Sequence, residues 1–438
     1  VRLNVAPNPP RVGQDVVFTT DITGGSPTSW AWTIQRATGT VEATSGSAEF
    51  HHQFPTAGDY LVTLTIADAT HTDQQSTTIT VTPVTGKVGC GTSIVVSVTL
   101  TADLVCTTNT GLVIAADDIV VDLGGHTIRG SGRGTGIADG TDVAGRPATS
   151  HSRVTIRNGA VTGFQVGIDL EGSTQATVVN TDVLSVLQTN GRSLTVQGGR
   201  ASFIDVHNSG SASITGVTMT QGTLDIWDSP GARIAHSMFN FVLVFPLRSP
   251  NAVFEDNTVT GHGMTVDHSP NWVIRGNRIE NTELGLRILE GSPDGSQVVN
   301  NIFRGNRQGL SMTVPSLNNS TGFTVTGNTF TDNANYGLYI GLVQGQAPPT
   351  DAPVTIADNT LDSNGRQSQG QRDIYGSLID DGLHVGLPRG VPVTVTLRNN
   401  HTLHNFDYGI ESQPGLVIDG GGNTSVGDGR GCLGVVCS

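Results

Sequence analysis

Four stretches, Ile204-Asp-Val-His-Asn-Ser209, Leu224-Asp-Ile-Trp-Asp-Ser229, Met264-Thr-Val-Asp-His-Ser269 and Leu286-Arg-Ile-Leu-Glu-Gly291, read as copies of one unit. Each begins with two apolar residues separated by a single polar one, the period of a strand with one face buried. Further copies begin at Ile168, Leu310, Leu338, Leu383 and Ile410, several directly after a glycine (Gly167, Gly285, Gly309, Gly337, Gly382, Gly409). A second column recurs within each unit as Asn257, Asn277, Asn301, Asn328, Asn359 and Asn400. Asparagines stacked at a turn can hydrogen-bond from coil to coil. The ladder spacing widens from 20 residues between Asn257 and Asn277 to 41 between Asn359 and Asn400, as expected of a solenoid that takes insertions as loops over one face.

Composition agrees with stacked β-structure. The chain of 438 residues carries 57 glycines, 14% charged and 5% aromatic residues, and a 36% apolar fraction, enough for a thin core repeated many times. No apolar run approaches the ~20 residues of a membrane-spanning helix. The chain opens at Val1 with neither an initiator methionine nor a leader, and reads as a mature or trimmed secreted chain. The four cysteines fall into two local pairs, Cys90 with Cys106 and Cys432 with Cys437, expected as disulfides in an oxidising extracellular setting. A net charge of −14 argues against a nucleic-acid partner. Lys87 is the only lysine, which excludes lysine-based elimination chemistry.

Residues 1–84 differ from the rest. Period-two runs such as Asp15-Val-Val-Phe-Thr-Thr20 and Tyr60-Leu-Val-Thr-Leu-Thr-Ile66 alternate with Pro and Gly turns, the pattern of a β-sandwich. The order Trp30-Ala-Trp32, His52-Gln-Phe54-Pro-Thr-Ala-Gly58-Asp-Tyr60, Val62-Thr-Leu-Thr-Ile66 resembles the PKD-type immunoglobulin-like module, which implies a non-catalytic spacer or weak binding unit. For residues 85–438, the segment Gly111-Leu-Val-Ile-Ala-Ala-Asp-Asp-Ile-Val-Val-Asp122-Leu-Gly-Gly-His126-Thr-Ile128, with the asparagine ladder, resembles the pectin-lyase-like right-handed parallel β-helix proteins. That resemblance implies an all-β fold and a polysaccharide or cell-surface glycan as partner. It settles no reaction, because members cleave or epimerise acidic polysaccharides, hydrolyse neutral ones, or have no known activity.

Residues between and after the two apolar positions of each unit point outward and form columns, with coil neighbours ~4.8 Å apart. One column is expected to run Asp169, Leu187, Asp205, Asp225, Val244, Thr265, Arg287, Ser311, Tyr339, His384, Glu411. Beside it fall Glu171, His207, Trp227 and Asp267, and then Asn208, Asp228, His268 and Glu290. Asp205, Asp225, Asp267, His268 and Arg287 are the candidate catalytic residues. His207, Trp227, Asp228, Glu290, Tyr339 and His384 are candidates for binding substrate. Adjacent carboxylates repel, so one becomes an acid beside an ionised partner; Trp227 offers a flat face for a sugar ring, and Arg287 a partner for hydroxyls or a carboxylate. Asp205 with Asp225 suits a retaining hydrolase, Asp225 with Asp267 across an intervening coil an inverting one. A polysaccharide lyase or C5-epimerase, with Arg287 or a histidine as base and Tyr339 as acid, is the alternative enzyme. A non-catalytic adhesive or fibre protein is the opposing class. The acid pairs Asp117–Asp118, Asp139–Asp142 and Asp380–Asp381 are compatible with calcium but show no spaced ligand loop. They read as solvated loops, so no metal or cofactor is expected.

Overall fold

The computed structural model describes residues 1–23, 25–36, 39–54, 56–82, 88–139, 149–289, 294–314, 322–342, 352–368, 370–390 and 393–438. Residues 83–87, which include the expected boundary and Lys87, lie outside that set, as do Asp142 and Glu290. Among the described residues there is no helix, and so none long and apolar enough to cross a membrane. Contacts divide the chain into two compact units, Val1–Gln165 and Val166–Ser438.

The first unit begins with two antiparallel sheets. Arg2–Ala6, Asp15–Asp21 and Phe50–Gln53 make one; Val41–Ser45, Ser29–Arg36, Gly58–Ala67 and Thr72–Val81 make the other. Alternation along each strand sends Val16, Phe18, Trp32, Ile34, Tyr60, Val62 and Leu64 into a shared core, all at most 2% exposed. Trp32 Nε1 donates to the Ser47 carbonyl at 2.8 Å and the Tyr60 hydroxyl to the Thr56 carbonyl at 2.9 Å. After residue 88 the pairing becomes parallel, as in Leu112 with Ile137 and Val121 with Ile156. The Cys90–Cys106 disulfide closes this start with a Cα separation of 5.5 Å.

The second unit is a solenoid of parallel coils. Ile168, Val186, Ile204, Leu224, Val244, Met264, Leu286, Leu310, Leu338, Leu383 and Ile410 pair in register, each directly over the last. None is more than 1% exposed. Each such side chain contributes roughly 1.5–3 kcal/mol by burial, so a narrow core is stable only because it is long. The glycines preceding these strands permit a close approach: a Cβ on Gly285 would meet the carbonyl oxygen of Gly309, and one on Gly309 that of Gly337.

Turns are held by buried polar ladders. From Asn257 through Asn277, Asn301, Asn328, Asn359 and Asn400 to Asn423, each backbone N–H donates to the next asparagine's Oδ1 at 2.9–3.3 Å. Each Nδ2 also donates to that Oδ1 and to a core-strand carbonyl, as Asn301 does to Ile274 at 2.9 Å. A second ladder, Asn306, Asn333, Asn364 and Asn405, runs beside it. A serine ladder does the same at another corner: the N–H groups of Ser209, Ser229 and Ser249 donate to the hydroxyls of Ser229, Ser249 and Ser269. The serine closing three of the four quoted repeats is therefore structural. Cys432 and Cys437 form the C-terminal disulfide, with a Cα separation of 6.0 Å.

Candidate functional site

Outward columns follow from the register. Asp169, Leu187, Asp205 and Asp225 stand over one another, and the column continues through Thr265, Arg287, Ser311, Tyr339, His384 and Glu411. One member differs from expectation. Asp225 pairs with Phe245, while Val244 is a core residue 1% exposed, because Val242-Leu-Val-Phe-Pro-Leu247 offers apolar residues at both phases of the strand. The neighbouring column is His207, Trp227, Leu247, Asp267.

Asp205 and Asp225 are therefore the directly opposed carboxylates, on adjacent strands of one parallel sheet, with backbones ~4.8 Å apart. Leu187 precedes them and Phe245 follows; Phe203, Thr223 and Leu243 flank the pair on one side and His207 and Trp227 on the other, a mostly apolar frame. This apolar frame has an electrostatic effect. Partial burial raises the Asp205 carboxyl above the usual carboxylate range, and repulsion from Asp225 adds to it, against a smaller opposing pull from His207. Asp225 is also raised by burial, but a hydrogen bond from Thr223 and the field of His207 favour its ionised form. Asp205 Oδ1 is buried and has no hydrogen-bond partner.

Other expected members are placed differently. Trp227 is 38% exposed, but His207 stacks on it from the preceding coil at 5.1 Å and the Arg248 guanidinium from the following coil lies 5.8 Å from its centroid. Its edge rather than a free face meets solvent. Asp228 and His268 are turn residues with positive φ, in a file with Asn208 and Arg248. Asp228 is engaged by Arg248 in a bidentate pair at 2.7 Å, which holds its carboxyl below the usual range and occupies both oxygens. Asp267 binds His268 Nδ1 at 2.8 Å and is separated from Trp227 by Leu247. Phe245 and Leu247 fill the coil between Asp225 and Asp267, so the inverting pair loses the polar gap it requires. Arg287 is exposed, three coils beyond Asp225 or roughly 14 Å along the stack.

Tyr339 and His384 form the approach to a second, closed cluster. His384 is 0% exposed, against the expectation that it meets substrate, because the excursion between Thr360–Asp362 and Leu383–Gly386 covers it. Its Nδ1 lies 2.6 Å from Asp381 and 3.4 Å from Glu411, and its Nε2 3.3 Å from Asp373. Although burial opposes a charged ring, hydrogen bonds to these three carboxylates outweigh it and push the imidazole up. Burial pushes the Tyr339 hydroxyl up to about 12. Asp380 and Asp381, expected on a solvated loop, are 2% and 0% exposed, and Asp139 is fully buried against His151 at 2.6 Å. The sequence cue for this second cluster was the continuation of the outward column into His384 and Glu411, beside Asp380-Asp381. Nothing in the strand period signals that an insertion folds back to close over them.

A sandwich followed by a parallel β-solenoid with a carboxylate pair on one sheet defines the class. Residues 1–81 match the PKD domain model, and residues 149–342 and 251–426 match the right-handed β-helix region model. The chain belongs to the right-handed β-helix family. No curated protein matches the sequence. Among solved structures, tailspike protein 3 of bacteriophage CBA120 is similar at 13% identity with a TM-score of 0.40, covering 78% of this chain and 56% of the tailspike. A mutant DFA-IIIase from Arthrobacter chlorophenolicus A6, solved in complex with DFA-III, is similar at 12% identity and a TM-score of 0.20, covering 71% of this chain and 72% of that one. The chain thus spans little more than half of that tailspike. Its PKD domain and two disulfides are consistent with an extracellular location.

Proposed function

We propose that the protein is an extracellular carbohydrate-active enzyme that hydrolyses a polysaccharide at Asp205 and Asp225. The observation that carries this reading is the direct opposition of two carboxylates inside an apolar frame on the exposed face of the parallel sheet. Their adjacent-coil spacing is near the ~5–5.5 Å between the carboxyl groups of retaining glycosidases. Asp205, whose anion is disfavoured by burial and by repulsion from Asp225, protonates the leaving glycosidic oxygen. Asp225, whose anion is favoured by Thr223 and His207, attacks the anomeric carbon and forms a glycosyl ester. Asp205, now ionised, takes a proton from the water that opens the ester. Phe203 and Leu243 on one side, with Phe245 in the next coil, give the apolar faces of sugar rings a surface.

A panel of acidic and neutral glycans tests this. The expected result is new reducing ends with retained anomeric configuration, lost at least ~100-fold in Asp205→Asn and in Asp225→Asn. A product absorbing in the ultraviolet from a new double bond would instead place the reaction with lyases, a reading that rests on exposed Arg287. A chain that binds glycan without cutting it would be the adhesive alternative. No cutting and no binding across the panel would remove the carbohydrate reading altogether.

A further inference from the structure

The closed cluster at the end of the solenoid contains an arrangement that the proposed hydrolysis does not use. Asp380 and Asp381 close the excursion that precedes Leu383–Gly386, and Asp407 belongs to the coil that follows. One carboxylate oxygen from each of the three lies within 4.8 Å of the others. Two of the three residues have a partial account of their charge. Asp381 Oδ1 accepts the Tyr408 N–H at 2.9 Å and its Oδ2 meets His384 at 2.6 Å; Asp407 pairs with Arg430 at 2.8 Å. Asp380 has no such account: its Oδ1 is buried and accepts no hydrogen bond, and the residue is 2% exposed. A buried carboxylate close to two more, with one oxygen that has neither donor nor solvent, is among the costliest arrangements in a protein interior.

A cation resolves it, and the donor set selects the kind. His384 is not available as a nitrogen ligand, since Nδ1 faces Asp381 and Glu411 and Nε2 faces Asp373. What remains open is oxygen alone, the ligand of hard cations. Magnesium retains several waters and demands a regular octahedron, which suits a buried and irregular set less well than calcium does. We propose that Asp380, Asp381 and Asp407 hold a calcium ion that fastens the 370–381 excursion to the last coils. The site is independent of the Asp205–Asp225 reading.

Calorimetric titration of the metal-stripped full chain with calcium chloride, with thermal unfolding measured in parallel, tests it. The expected result is saturable binding of one ion and a rise in melting temperature of roughly a few degrees. Asp380→Asn abolishes both, Asp407→Asn weakens both, and Asp205→Asn binds calcium as the unaltered chain does. Without calcium, Asp380→Asn melts higher than the unaltered chain, because an amide replaces an unpartnered carboxylate; this also reports that the variant folds. The proposal is overturned if calcium up to about 10 mM, above the range of weak extracellular sites, neither binds nor shifts melting. It is equally overturned if Asp380→Asn keeps the calcium increment, or if zinc or magnesium binds where calcium does not.

Discussion

Asp205 is held where its charge is unwelcome. Its folded-state pKa lies above that of the unfolded chain, so folding takes up a proton in the interval between the two values. Stability from this group is greatest below that interval and falls as pH rises through the folded value. Asp205→Asn is therefore expected to raise the melting temperature at pH 7 and to change it little near pH 4, roughly the unfolded carboxylate range, in a calorimetric series across pH. Activity should fall in the same variant. Loss of function with gain of stability is what distinguishes a strained working acid from a solvated surface residue, whose replacement alters neither. Asn301 shows the opposite economy. It donates to Ile274, Val299 and Asn328 and accepts from Asn277, all within the core. Asn301→Ala strands these partners together, and urea unfolding should show a loss of about 3 kcal/mol or more.

At the scale of the strand, the glycine column and the outward columns were readable in the sequence for the same reason. Both recur once per coil, and both are fixed by geometry that tolerates one answer. Gly309→Ala would drive a Cβ into the Gly337 carbonyl, and should lower stability by at least about 2 kcal/mol in the same unfolding assay. Where two phases of a strand are both apolar, the geometry has two answers, and this is why Phe245 rather than Val244 stands beside Asp225. The turn file Asn208, Asp228, Arg248, His268 was harder to read. Asn, Asp and His are favoured at positive φ but Arg is not, so Arg248 interrupts the pattern, and the chemistry of Asp228 and His268 hid their turn role. The covering of His384 was not legible at all, because it depends on a long excursion folding back through contacts remote in sequence.

For the whole molecule, the sandwich strands enclose an aromatic and aliphatic core from Val12 to Val81, against which Val96 also packs. We therefore expect residues 1–84, expressed alone, to unfold cooperatively, and residues 88–438 to keep any glycan-cleaving activity; scanning calorimetry and the glycan panel check the two halves. The asparagine ladders have a polarity that matters at this scale. From rung to rung the side-chain amides donate toward the C-terminal coil, as Asn359 does to Asn400 and Asn364 to Asn405, and the second ladder ends on an aspartate, Asn405 donating to Asp428 at 2.8 Å. An amide both receives and passes on a proton donor, so a row of them can template another coil indefinitely. A carboxylate only receives. Asp428 also accepts the hydroxyls of Thr402 and Ser425 at 2.7 and 2.6 Å. The second ladder thus ends on a group with no proton to offer a further rung, and the track that aligns each coil on the one before it carries its own terminus.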